Sequence, residues 1–310
     1  MPEEIIKLPA FAKVNLGLRV LGRRADGYHE IETVFQSITL HDNLTFESRP
    51  VGRVELNCSD PGIPTDESNL VIRAAEALRE RFGVCFGARI ELEKIIPAGG
   101  GLGGGSSDAA VALVALAHLW KIETTKEELS EIGARLGADV PFFLTGGTAL
   151  GTGTGAEISP LEDAKKMHLV VVAPGVQVST AEAYKALNSP ALTKDYRVVN
   201  LSVSRAEAEF SDSLREVMPN DFEAVVTRLQ PEIGRAREAL LRAGARRATL
   251  SGSGSSLFGV FESEGEAERA RDRLSAERAW RVFACETLSR AEYVRGLGGC
   301  AAVLQPSRGA

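Results

Sequence analysis

Apolar and polar positions alternate with a period of two through much of the first third of the chain. Residues 5–21 carry the alternation around a polar interruption, Ala10-Phe11-Ala12-Lys13-Val14-Asn15-Leu16, and residues 31–40 repeat it, so each predicts a strand. Residues 42–57 read as further β structure, closed by a Pro/Gly-rich loop over residues 61–66. The period then lengthens. Leu70, Ala74, Ala77, Leu78 and Phe82 share one face of a helix over residues 69–81, with Asp66 or Ser68 as its cap. Residues 89–96 alternate again as a strand, and residues 109–117 are almost wholly apolar, as in a buried helix. Thr125 and Glu128 stand in capping-box spacing at the head of an amphipathic helix ending at Leu136.

Beyond residue 157 the organisation restarts. A strand over residues 168–173 runs into Pro174-Gly175, followed by a helix over 180–187 and a polar stretch near 190–217 with no clear period. A helix over 231–242, a hairpin over 249–261 with a small, flexible tip, a helix over 264–274 and a strand over 280–287 complete the pattern. Two strand–helix units around a central hairpin predict a ferredoxin-like second unit. The expected division is therefore residues 1–156, residues 157–290, and a loose tail over 291–310.

Composition narrows the function without naming it. The 310 residues are 44% hydrophobic and 25% charged, the balance of a soluble globular protein. A net charge of -6 argues against nucleic acid or an anionic membrane as the main partner. No stretch has the length of a membrane span, and the N-terminus lacks a signal peptide's apolar core. Cys58, Cys85, Cys285 and Cys300 are widely spaced, which fits free thiols in a reducing, cytoplasmic setting. Nothing in the pattern sets an oligomeric state.

Chemistry concentrates in Pro97-Ala98-Gly99-Gly100-Gly101-Leu102-Gly103-Gly104-Gly105-Ser106-Ser107-Asp108, where six glycines lie between a strand and a buried helix expected to start near Ser106. Glycines allow close backbone approach to a ligand, and a helix N-terminus offers unpaired N–H groups and a partial positive charge. Together they make an anion cradle whose usual occupant is phosphate. Gly99-x-Gly101-x-x-Gly104 satisfies the dinucleotide fingerprint, but the helix leads into another helix instead of a strand, so that context fails; a Walker A loop fails for want of Gly-Lys-Ser/Thr. Lys13 and Asn15, two apart on a strand, project to one face, as a solvent-facing edge or as part of a site. Asp139 is placed either as a turn or cap residue or as a partly buried acid. Tyr28 and His29 beside the Asp26-Gly27 turn read equally as ordinary loop residues.

The glycine segment resembles the ATP-binding motif of the galactokinase, homoserine kinase, mevalonate kinase and phosphomevalonate kinase (GHMP) superfamily. Two further motifs of that superfamily have counterparts, in order, at Ala12-Lys13-Val14-Asn15-Leu16 and Ser251-Gly252-Ser253-Gly254-Ser255-Ser256. The resemblance extends to about residue 290. Arg24-Ala25-Asp26-Gly27-Tyr28-His29, Thr33-Val34-Phe35-Gln36-Ser37 and Gly137-Ala138-Asp139-Val140-Pro141-Phe142-Phe143 resemble the branch that phosphorylates a methylerythritol linked to cytidine diphosphate, on a route to isoprenoid precursors.

This resemblance implies a two-domain α+β fold, with a ribosomal protein S5 domain 2-like N-terminal domain and a ferredoxin-like C-terminal one. It implies ATP as phosphoryl donor, Mg2+, and transfer to the substrate's 2-hydroxyl. Asp139 would take the hydroxyl proton, with Lys13 beside it offsetting the charge of the transferring group. Pro97 to Ser107 would hold ATP, with the Ser106 and Ser107 hydroxyls on a phosphate or the metal. Tyr28 and Tyr184 would sandwich cytosine, His29 would bond its edge, and Asn15 would position the substrate. No second acid stands where mevalonate kinase-like members place a metal-binding Glu, so the metal ligands stay unassigned. A homoserine- or mevalonate-type kinase and an inactive nucleotide-binding protein remain as other readings.

Overall fold

Two long antiparallel strands form the spine of the first sheet. In the computed structural model, which describes residues 5–187 and 219–304, β1 (Ile5–Arg23) pairs with β2 (His29–Arg49) from Ile5 opposite Glu47 to Arg23 opposite His29. Register shifts between Phe11 and Lys13 and between Asn15 and Gly17 mark bulges, which bend a strand and re-aim its side chains. The other edge of β2 pairs with β4 (Gly87–Glu93) along one half and with β5 (Thr148–Thr152) along the other. Strand β3 (Val54–Cys58) lies parallel to β4, and β6 (Glu157–Pro160) closes the sheet beside β5. The first sheet thus runs past residue 156, to Pro160.

Helix α1 (Leu70–Phe82) is capped by Asn69, whose side chain accepts from the Val71 N–H at 2.9 Å. Asp66 and Ser68, the expected caps, instead bond each other one turn earlier. Helix α2 (Gly104–Leu119) begins two residues before Ser106, with Gly103 at the cap position and no side-chain cap. It is apolar all round because α1, β1, β2, α3 (Lys126–Leu136) and α4 (Val140–Phe143) all pack on it. The capping box of Thr125 and Glu128 forms as expected.

The second unit contains β7 (His168–Ala173), α5 (Thr180–Leu187), α6 (Glu223–Leu229), α7 (Pro231–Arg242), β8 (Arg247–Leu250), β9 (Leu257–Phe261), α8 (Glu264–Leu274) and β10 (Arg281–Glu286). Its strands run β10-β7-β9-β8, all antiparallel, which is the ferredoxin-like order. The stretch 190–217 lies outside the described residues. Ala12, Val14 and Leu16 of β1 share a core with Leu169 and Val171 of β7 and Phe258 of β9. Over this stretch Ala12, Val14 and Leu16 therefore face the second sheet, and Lys13 and Asn15 face the other way.

Residues 290–304 are not a loose tail. Helix α9 (Arg290–Gly296) starts with a capping box of Ser289 and Glu292, and a 3-10 segment (Gly298–Leu304) follows. Tyr293, Leu297, Cys300, Ala301 and Leu304 are buried in the core of the first unit, and the Tyr293 hydroxyl donates to the Phe143 carbonyl at 2.6 Å. Two seven-residue segments carry too little periodicity to be read, and packing is what orders them.

Beneath the start of α2, the Lys94 ammonium sits between two buried carboxylates, bonding Asp42 and, at 3.0 Å, Asp108. Asp42 also accepts from the Ile95 and Ile96 N–H groups at 2.5 and 2.7 Å. Oδ1 of Asp108 has no hydrogen-bond partner among the described residues. Burial, reinforced by the Asp42 charge and opposed by Lys94, pushes the Asp108 carboxyl up to about 8.

Two outcomes follow. Tyr293→Ala should lower the free energy of unfolding by about 3–5 kcal/mol in denaturant titration, whereas a change of about 0.5 kcal/mol would make the segment peripheral. An acid whose pKa rises from 3.8 unfolded to about 8 folded contributes stability below the unfolded value and loses it as pH rises through the folded one. Asp108→Asn should therefore flatten the fall in Tm between about pH 4 and about pH 8, and Tm curves parallel to wild type would show that Asp108 does not titrate there.

Candidate active site

A cleft of about 1320 Å3 opens where the two units meet the glycine loop, and both Lys13 and Asp139 line it. Lys13 is 3% exposed and Asn15 2%, so the reading of this pair as a solvent-facing strand edge is wrong. The bulges on either side turn both side chains toward the cleft. Burying an ammonium requires partners. Lys13 Nζ donates to Asn15 Oδ1 at 2.7 Å, lies 3.3 Å from Asp139 Oδ2, and stands over the Phe35 ring. Asn15 in turn donates to Thr33 Oγ1 at 2.7 Å, and Thr33 donates to the Gly17 carbonyl.

Asp139 occupies the cap position of α4 but makes no cap hydrogen bond. Its carboxylate, about one-third exposed at 32%, faces Lys13 and the cleft instead. The turn-or-cap alternative thus accounts for its place in the chain and not for its side chain.

The glycine loop is shaped as much by the protein as by any ligand. Gly101 has φ 79°, and a Cβ there would meet the Ser251 carbonyl oxygen at 2.1 Å; Gly103 has φ 72°, and a Cβ there would meet the Phe143 ring at 2.7 Å. The second glycine-containing segment docks on this loop: the Ser256 N–H donates to the Gly100 carbonyl at 3.0 Å and the Ser251 hydroxyl to the Gly101 carbonyl at 2.9 Å. The hairpin tip expected to be flexible is pinned there. Of the residues expected to hold ATP, Gly99, Gly101 and Ser106 line the cleft. Leu102 is a core residue whose carbonyl accepts from the Lys13 N–H at 3.0 Å. Ser107 does not fit its expected role, because it is fully buried and donates to the Phe11 carbonyl at 2.7 Å. The uncapped start of α2 leaves its N–H groups for an anion.

Aromatic rings form the far side of the cleft. Tyr184 of α5 stands edge-on to Phe222, and its face is stacked on the His29 ring, centroids 4.3 Å apart and 15° from parallel. The ring that pairs with Tyr184 is thus His29, not Tyr28. The Asp26-Gly27 turn carries Tyr28 outward to the rim, 67% exposed, and β2 begins with His29. Burial and the Asp139 charge push the Tyr184 phenol up to about 12, while burial first and the Arg23 charge second lower His29.

Sequence reasoning overlooked Asn220, a buried residue whose amide donates to the Leu250 and Gly252 carbonyls at 3.0 and 2.8 Å and so holds the hairpin tip. Pro219-Asn220-Asp221 is a turn signal that marks the spot without revealing its partners. Thr33 and Phe35 were marked only as part of the Thr33–Ser37 segment that carries the resemblance, and their contacts with Asn15 and Lys13 were not foreseen. Among the described residues no group of three or more His, Cys, Asp or Glu side chains is arranged to hold a metal ion, and no helix is long and apolar enough to cross a membrane.

Comparison with known proteins places this geometry. Residues 69–147 match the model of the GHMP kinases N terminal domain and residues 201–279 that of the GHMP kinases C terminal domain. The 4-diphosphocytidyl-2-C-methyl-D-erythritol kinase of Prosthecochloris aestuarii is 44% identical over 272 residues, 87% of this chain and 94% of that one. The enzyme of the same name from Pseudomonas entomophila is 42% identical over 273 residues, 88% of this chain and 90% of that one. A crystal structure of 4-(cytidine 5'-diphospho)-2C-methyl-D-erythritol kinase superposes with a TM-score of 0.76 at 37% identity, covering 91% of this chain and 99% of that one. Homoserine kinase from Cytophaga hutchinsonii shares the fold at a TM-score of 0.65 and 21% identity, covering 93% and 96%. With relatives at this identity over most of both chains, two-unit GHMP architecture, and a buried lysine paired with a partly exposed aspartate beside the glycine loop, the chain belongs to the 4-diphosphocytidyl-2-C-methyl-D-erythritol kinase family of GHMP kinases.

Proposed function

We propose that this chain transfers the γ-phosphoryl group of ATP to the 2-hydroxyl of 4-diphosphocytidyl-2-C-methyl-D-erythritol. The observation that carries the reading is the Lys13–Asp139 pair at 3.3 Å, set in one cleft with the glycine loop that opens α2. Phosphoryl transfer asks a protein to position two anionic molecules and to stabilise developing charge, with little covalent chemistry of its own. The start of α2 and the loop at Gly99 and Gly101 hold the triphosphate through backbone N–H groups. Asp139 orients the acceptor hydroxyl and receives its proton at a carboxylate oxygen. Lys13, fixed by Asn15, keeps a positive charge beside the transferring group as that charge builds.

Mg2+ fits the oxygen donors present, the Ser106 hydroxyl and the Asp139 carboxylate, because it keeps several waters and shares its remaining positions with phosphates. When bound, it neutralises phosphate charge. The cytosine takes the Tyr184 face now covered by His29, with Tyr28 closing from the rim and His29 turning to the base edge. A ring of this size beside a polar edge suits a planar base.

ADP release with ATP, magnesium and the cytidine compound, run beside homoserine and mevalonate, tests the substrate. Turnover confined to the cytidine compound is expected, and turnover of another acceptor instead would discard it. Asp139→Ala should cut kcat by about 10²–10⁴-fold in a protein with wild-type circular dichroism, and near-normal turnover would remove Asp139 from the chemistry. Tyr184→Ala should raise KM for the cytidine compound, since stacking on a base contributes about 1–3 kcal/mol, while Tyr184→Phe keeps it. An unchanged KM in the alanine variant would break the base-stacking assignment.

A further inference from the structure

The cleft carries cations that the chemistry at Asp139 does not use. Arg23, Arg135 and Lys185 line it, and none of the three enters an ion pair among the described residues. The two acids of the cleft wall are already matched, Asp139 by Lys13 at 3.3 Å and Asp26 by Arg24 at 3.1 Å. Arg24, the neighbour of Arg23, is doubly occupied, since it also bonds Glu30 at 2.8 Å. A chain of net charge -6 therefore presents a locally positive cleft.

Two of these cations flank the ring pair. Arg23 stands opposite His29 in the β1–β2 ladder, and its charge acts on the His29 imidazole. Lys185 follows Tyr184 on α5. A nucleoside diphosphate whose base lies on Tyr184 carries its two phosphates one ribose away, within reach of long side chains that flank the stack. We propose that Arg23 and Lys185 clamp the diphosphate of the cytidine-bearing substrate, one from each unit of the fold. This rests on the function proposed above and adds the residues that select a diphosphate-linked alcohol over a free one. The guanidinium offers a planar fork to phosphate oxygens and the ammonium a mobile point charge. Both side chains are exposed, so they act on affinity and leave the proton transfer at Asp139 alone. Arg135, at the α3 end near Gly137, lies outside the clamp.

Steady-state kinetics of the full chain carrying Arg23→Gln, Lys185→Gln or both tests this, varying the cytidine compound at saturating ATP and then ATP at saturating cytidine compound. Each single change should raise KM for the cytidine compound about five- to ten-fold and the pair more than either, with kcat and KM for ATP within about two-fold. Added NaCl should raise that KM more steeply in wild type than in the double variant. A double variant with wild-type KM for the cytidine compound overturns the clamp, as does an equal rise in KM for ATP. Wild-type protein that turns over only homoserine or mevalonate overturns the functional reading, and the clamp with it, before any variant is compared.

Discussion

A buried ammonium is the constraint around which this molecule is arranged. Lys13 has almost no contact with solvent, and an ammonium in that position is tolerable only if charge and hydrogen-bond acceptors reach it. Asn15 comes from the same strand, Asp139 from the turn between α3 and α4, and the Phe35 ring from β2. The backbone N–H of Lys13 fixes the glycine loop through the Leu102 carbonyl. One residue thus ties together the sheet, the acid and the glycine loop, and its charge stays where a phosphoryl group would gather negative charge.

The two glycine-containing segments form a single interlocked unit. Ser251 and Ser256 bond the carbonyls of Gly101 and Gly100, and Asn220 holds the tip of the second segment from behind. A side chain at Gly101 or Gly103 would collide with protein before meeting any ligand. The glycines therefore serve two ends, close backbone packing between the units and open N–H groups at the start of α2. Among the described residues, the second unit acts on the site by shaping the loop and by placing Tyr184 and Lys185 in the cleft wall.

Charge is allocated by position rather than by total. The triad of Asp42, Lys94 and Asp108 spends two carboxylates on one ammonium beneath α2, out of reach of solvent. Arg24 is absorbed by Asp26 and Glu30. What remains facing the cleft is mostly positive, which suits two phosphate-bearing reactants in a protein whose net charge is negative.

Much of this was legible in the residues themselves. Period-two and period-3.6 patterns located the long strands, the capping box at Thr125 and Glu128, and the strand order implied by two strand–helix units around a hairpin. Residue types that chemistry needs, the glycine run, Lys13 and Asp139, marked the site, because local geometry at glycines and helix starts follows from short sequence. Tertiary structure alone decided the rest. It showed that residues 290–304 pack on the first core, since seven-residue segments have too little period to declare a face. It turned Ser107 inward and Tyr28 outward, and set His29 on Tyr184. It also gave Asn220 its role, because a hydrogen bond between residues thirty positions apart has no local signature. Side-chain partners across the chain are set by packing, and packing is a property of the whole fold.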